Sequence, residues 1–266
     1  MLPNHAQSKP EPQEFWETQH QDLDLYPVEL QAKIKGFPAA AQDRFLTLLG
    51  NLEGKSVLEI GCGNGAIATY LAKKGAAVTA IDLSSNATQQ TKALAHHNGV
   101  GDRVNAFQLN ALEIHTINQT FDLIVGKYIL HHIEPFNQFA QHLSEALQPD
   151  GKAVFIENNA RNPILMAIRG NLVGKFGIPK MGDDQEYPFE PGEVDLLQQY
   201  VGPVNLHFPD LIFFRMINTY IFRHQQIFKP IMKALVNLDQ LLYQLVPSLH
   251  QYSYLQIVEV TKRPLN

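Results

Sequence analysis

The chain has 266 residues, enough for one large domain or two small ones with a sizeable buried core. Hydrophobic residues make up 45% and charged residues 18%, an ordinary soluble globular balance, and the net charge of −5 argues against bulk nucleic-acid binding, which needs clustered Lys and Arg. The single cysteine, Cys62, excludes an internal disulfide and a Cys-based zinc cluster, and fits a reducing cytoplasm.

Residues 1–13 are polar and proline-bearing, lack the apolar core of a signal peptide, and read as a flexible tail. Val57–Ile60 is predicted as a fully buried strand, and Ala66–Lys74 as a helix with Gly75 at its C-terminal end. "AAVTAID" forms the second strand, ending at Asp82, and Ser84 or Ser85 caps a helix running towards Gly99. "RVNAFQL" and "FDLIV" are the third and fourth strands. Phe136, Phe139, Ala140, Leu143 and Leu147 recur at helical spacing behind Pro135. "PDG" at 149–151 then turns the chain into "KAVFIE", the fifth strand. This alternation predicts a doubly wound α/β fold with a parallel sheet and ligands at the carboxyl ends of the strands. Towards the C-terminus, Val204, Leu206 and Phe208 alternate as in a strand. A long helical stretch from Phe228 to Leu245 and a last strand, "YSYLQIVEVT", follow. No internal repeat or linker interrupts residues 14–262, which read as one domain. The apolar run "LIFFRMINTYIF", 211–222, is interrupted by Arg215 and Asn218 and is too short to span a bilayer, although a peripheral membrane contact stays open.

The segment "VLEIGCGNGAIA" holds three glycines at alternate positions, Gly61, Gly63 and Gly65, two residues after Glu59. Gly61 to Ala66 also satisfies the relaxed dinucleotide pattern, with Asp82 at the distance of a ribose ligand. A Walker phosphate loop is excluded, because no Gly-Lys-Ser/Thr follows. Glu59 distinguishes the remaining readings. A carboxylate there repels a pyrophosphate but suits a ligand carrying an ammonium group.

Taken in order, "VLEIGCGNGAIA", "AIDLS", "QLNALEI", "FDLIVGKYILHHI" and "LQPDGKAVFIE" resemble the successive motifs of class I S-adenosylmethionine-dependent methyltransferases over roughly residues 50–160, most closely the quinone-biosynthesis-like, small-molecule branch. The resemblance implies a seven-stranded, mostly parallel Rossmann-like sheet whose last strand is antiparallel. It implies S-adenosylmethionine as cofactor. Glu59 and the backbone of Gly61, Cys62, Gly63 and Gly65 would face its methionine part, Asp82 its ribose hydroxyls, Leu83 its adenine face, and Asn110 and Ala111 the adenine edge. Lys127 would offer its carbonyl to the ammonium. Asn110 stands where the family commonly has aspartate, which leaves a group able to donate as well as accept. Cys62 itself reads as a small filler with no basic partner to activate it.

Methyl transfer from a sulfonium to an oxygen or nitrogen of the acceptor needs alignment and exclusion of water; a neutral amine needs little proton chemistry, whereas a hydroxyl also gains from a general base. Tyr128, His131, His132 and Glu157 lie at the carboxyl ends of the fourth and fifth strands. His131 is the favoured base, against a reading in which both histidines cap the helix at Pro135 or face solvent. No metal site is expected, because no pair of carboxylates accompanies the histidines. Segments 14–48 (with Phe15, Trp16, His20 and Tyr26), 159–192 and 209–250 would supply lid and acceptor walls around a small acceptor with an apolar part. In the last of them Phe213, Phe214, Met216 and Ile217 would face the sulfonium, with Arg215, Arg223 and His224 at the rim. The rivals are an NAD-dependent oxidoreductase, which fits the glycines and Asp82 but not Glu59, and a non-catalytic binding module that keeps the fold.

Overall fold

The computed structural model describes residues 12–19, 23–30, 34, 39–164, 166–167, 187–211, 214 and 229–264. The strands are β1 Ser56–Ile60, β2 Ala77–Asp82, β3 Val104–Gln108, β4 Phe121–Lys127, β5 Leu147–Asn158, β6 Val204–His207 and β7 Leu255–Thr261. The helices are α1 Pro12–Gln19, α2 Ala39–Leu49, α3 Ala66–Lys73, α4 Ser85–His97, α5 Phe136–Ala146, α6 Pro191–Tyr200 and α7 Lys229–Leu245.

The seven strands form one sheet in the order β3-β2-β1-β4-β5-β7-β6. β1 to β5 run parallel, while β7 is antiparallel to both neighbours. The order reverses between β1 and β4, so a crevice opens at their carboxyl ends, where ligands of doubly wound sheets bind. The apolar runs of β1 and β4 are buried on both faces, as central parallel strands must be. Phe45, Leu49, Leu71 and Leu94 of α2, α3 and α4 cover one face. Ile114, Phe139, Leu143 and Leu197 cover the other, from the 3₁₀ segment Ala111–Ile117, α5 and α6.

One expectation needs adjustment. The "PDG" turn does not precede the fifth strand but lies inside it. β5 starts at Leu147, Asp150 takes φ +61°, and the register with β4 shifts between Phe121 and Leu123. Leu147 and the Lys152–Asn158 stretch are both held against neighbouring strands, so the turn survives as an irregularity in a paired strand.

Candidate active site

The carboxyl ends of β1, β2 and β4 open on a cavity of about 1330 Å³. Glu59, Gly61, Cys62, Gly63, Asp82, Leu83, Asn110, Ala111, Lys127 and His131 all line it. Gly65 does not. It takes φ +77°, and a Cβ there would lie 2.6 Å from the Thr91 Cα of α4. Its glycine is required by the close approach of α4, a reason unlike the ligand contact expected of it.

The loop and β2 are locked together by Asp82. Its Oδ2 accepts from the Gly63 amide at 2.9 Å and its Oδ1 from the Ser84 amide at 3.0 Å. Ser84 caps α4 by accepting from Ala87. Asn110 is exposed, lines the cavity and caps the following 3₁₀ turn, its Oδ1 accepting from Leu112 at 2.9 Å. Cys62 is buried, and burial, with Asp82 and Glu59 nearby, pushes its thiol well above the usual range; it is a filler.

Glu59 is 1% exposed. Burial raises its carboxyl well above the usual range and the charge of Asp82 adds to this, while the Ala68 amide and Lys127 oppose it. Its Oε2 is buried with no hydrogen-bond partner among the described residues. Desolvation in turn lowers the Lys127 ammonium, against the attraction of Glu59. A buried carboxylate oxygen facing a cavity and short of a donor fits the ammonium of an S-adenosylmethionine methionine part. It does not fit a pyrophosphate.

The same cavity is lined by His131, on the 3₁₀ turn Leu130–His132 between β4 and α5. Its side chain is 2% exposed, and Nδ1 lies 2.6 Å from Oε2 of the fully buried Glu157. It neither caps the α5 helix nor faces solvent: Pro135 is the N-cap, and Glu134 Oε2 accepts from Phe136. The His132 ring packs on His131 at 4.1 Å and edge-on to Trp16 at 5.3 Å. Tyr128 takes φ +55°, and burial holds its phenol protonated far above the usual range, reinforced by Tyr254 and Glu157.

Two of the three expected wall segments reach the cavity. Trp16 and Gln13 of α1 line it, as do Tyr187, Pro188, Glu190 and Glu193 around the start of α6. α1 is fastened by Glu17, which accepts from the amides of Ser85 (2.7 Å) and Asn86 (3.1 Å) and the Ser84 hydroxyl (2.9 Å) at the first turn of α4. Tyr26 packs into the core instead. Among the described residues of 209–250, none lines the cavity. They wall a separate cleft of about 620 Å³ with Arg44 and His207, through Pro209, Tyr243 and His250. The Phe214 amide donates to Asp239, while His20, Phe213, Arg215, Met216, Ile217, Arg223 and His224 lie outside the described residues.

The sequence reading missed Glu17, Glu190 and Glu193. "EPGE" at 190–193 carries a usable sign, a capping box with proline at the first helical position, and the Glu190 amide donates to Glu193 at 2.6 Å. Burial and the carboxylates of Glu134, Glu157 and Glu190 push Glu193 up to about 7, with the Glu190 amide opposing. Among the described residues no helix is long and apolar enough to cross a membrane.

The methyltransferase domain family matches residues 57–151. A ubiquinone biosynthesis O-methyltransferase of Rickettsia canadensis is 30% identical over 141 residues, covering 52% of this chain and 58% of the relative. That of Alkalilimnicola ehrlichii is 31% identical over 150 residues, covering 55% and 60%. The chain thus spans about three fifths of the length of these curated relatives. Among solved structures, an S-adenosylmethionine-dependent methyltransferase from Mesorhizobium loti superposes with a TM-score of 0.56 at 17% identity, covering 86% of this chain and all (100%) of that one. Magnesium protoporphyrin IX methyltransferase from Synechocystis, solved with bound S-adenosylhomocysteine, gives 0.52 at 14%, covering 84% of each chain. These two show the fold. The segment that matches the methyltransferase domain family, residues 57–151, coincides with β1 to β4 and the loops that build much of the cavity.

Proposed function

We propose that this protein is a cytoplasmic S-adenosylmethionine-dependent O-methyltransferase acting on a hydroxyl of a small, partly apolar molecule. One observation carries the reading: a single cavity is lined both by a donor-poor buried carboxylate, Glu59, and by a carboxylate-anchored imidazole, His131. In this reading Glu59 and the carbonyl of Lys127 hold the cofactor's ammonium, and the backbone from Gly61 through Cys62 to Gly63 lies along its methionine part. Gly65 supports that loop from behind. Asp82 takes the ribose hydroxyls, Leu83 packs on the adenine, and Asn110 with Ala111 reads its edge. The relatives named ubiquinone biosynthesis O-methyltransferases support oxygen as the attacking atom and a biosynthetic, small-molecule acceptor.

When bound, the cofactor supplies an activated methyl group on a sulfur that leaves as a neutral thioether. The chain's residues do the remainder. Trp16 and Tyr187 wall the acceptor and keep water from the transfer line. His131 receives the hydroxyl proton as the oxygen becomes an ether. An NAD-dependent reading is disfavoured, because a pyrophosphate would meet Glu59 and Asp82.

The test is release of S-adenosylhomocysteine on incubation with S-adenosylmethionine and a panel of alkylcatechols, hydroquinones and aromatic amines. Turnover of the hydroxyl compounds alone is expected, and His131→Ala should slow it about 100-fold or more with cofactor affinity unchanged. Turnover confined to amines, or full activity in that variant, would overturn the assignment of oxygen or of the base.

A further inference from the structure

We propose that Glu157 is a positioning residue that selects the proton-accepting tautomer of His131; this rests on the reading of His131 as the base. Glu157 sits at the carboxyl end of β5, in a strand otherwise apolar from Val154 to Ile156, and has no solvent exposure. Neither oxygen is left over for catalysis. Oε1 accepts from the amides of Ile129 at 2.9 Å and Leu130 at 2.8 Å, and Oε2 faces His131 Nδ1 at 2.6 Å.

Two features follow from that geometry. The amides of Ile129 and Leu130 fix the carboxylate against the very turn that carries His131, so the acid and the imidazole are held on one rigid unit. An ionised carboxylate only accepts hydrogen bonds, so Nδ1 must carry the ring proton, and the lone pair of a neutral imidazole is then on Nε2. His131 lines the cavity, which gives that nitrogen a role toward the acceptor. When a hydroxyl proton moves to Nε2 the ring becomes an imidazolium, and Glu157 faces the new charge at hydrogen-bond distance. The carboxylate takes no proton in this step. The hydroxyl oxygen forms its bond to the methyl carbon, and the electron pair of the broken carbon–sulfur bond stays on sulfur.

Glu157→Gln isolates the proposal, because the amide has the same shape. Its oxygen can still accept from Ile129 and Leu130, while its NH₂ donates to Nδ1 and drives the ring proton to Nε2. The test uses the full ¹⁵N-labelled chain saturated with S-adenosylhomocysteine. Long-range proton–nitrogen NMR of the imidazoles, with His131 assigned from its loss in His131→Ala, is expected to show the Nδ1–H tautomer in the wild type. The Nε2–H tautomer is expected in Glu157→Gln. A wild-type Nε2–H ring, or an unchanged tautomer in the variant, overturns the proposal, and the wild-type spectrum needs no variant to fold. Kinetics with 4-tert-butylcatechol separate this inference from the one beneath it. Glu157→Gln should lower kcat about 10²–10⁴-fold with the acceptor KM within about twofold, and adding His131→Ala should cost no more. If His131→Ala abolishes turnover and Glu157→Gln leaves kcat intact, the positioning role falls and the base stands. If His131→Ala keeps full turnover, the base reading itself falls.

Discussion

In the proposed reading Glu59 serves a ligand at the expense of the fold. Its carboxyl is held well above the usual value of 4.5 by burial, with Asp82 adding repulsion. Between its unfolded and folded pKa the folded chain binds the additional proton, so its contribution makes stability fall as pH rises through that window. Glu59→Gln removes this penalty. The ligand-free variant should melt above the wild type, with a gap that grows from about pH 5 to pH 8 in thermal scans; parallel curves would mean that Glu59 carries no such strain. The same variant should bind S-adenosylhomocysteine more weakly by about 1.5–3 kcal/mol, the scale of a hydrogen bond to a charged group, in calorimetric titration. Glu59 was legible in the sequence because an acid at the tip of an apolar strand is costly without a partner. The anchoring of His131 was not, since Glu157 is 26 residues away along the chain and only the β4–β5 pairing brings the two together.

At the scale of elements, two helices define the cavity in ways that spacing alone conceals. Gly65 lets α4 approach the loop, so Gly65→Ala should cost about 2–5 kcal/mol, combining left-handed strain with overpacking. Gly99→Ala, at φ +72° with nothing within 4 Å of a Cβ, should cost only about 1–2 kcal/mol by denaturant titration. Equal losses would refute the packing argument. α1 depends on Glu17. Burial raises its pKa, but the amides of Ser85 and Asn86 and the Ser84 hydroxyl outweigh that and hold it below the usual range. Its docking contribution is therefore present above the unfolded pKa and is lost as pH falls through the lowered folded value. Glu17→Ala should open α1 about fivefold more often, on the basis of roughly 1 kcal/mol for a lost cap. Faster proteolysis near residues 12–19 and greater exposure of Trp16, the only tryptophan, would report it. Unchanged cleavage would make the contact incidental. That the aromatic N-terminal segment comes to the cavity was legible from its composition. Its latch was not, because Glu17 meets α4 nearly 70 positions later.

For the whole molecule, the sheet was readable nearly strand by strand, because each parallel strand is a short apolar run bounded by a turn residue or a cap. The destination of segment 209–250 was not readable in this way. Periodicity states that α7 has an apolar face, with Met232 buried and Ile231, Leu238, Leu241 and Leu245 exposed, but not where in the fold that helix comes to rest. Strand order decides it. β6 and β7 lie at the opposite edge of the sheet from β3, β6 ends at His207 beside Arg44, and the described residues Pro209, Tyr243 and His250 wall the cleft there. Among the described residues, the cavity takes its outer wall from α1 and the start of α6. The central claim, that the crevice holds S-adenosylmethionine and not a dinucleotide, is most directly tested by calorimetric titration of the full chain with S-adenosylmethionine, S-adenosylhomocysteine and NAD. We expect micromolar binding of the first two, weakened by about 1.5–3 kcal/mol in Asp82→Ala, and no binding of NAD. Failure of both sulfur compounds to bind at millimolar concentration, or binding of NAD in their place, would contradict it.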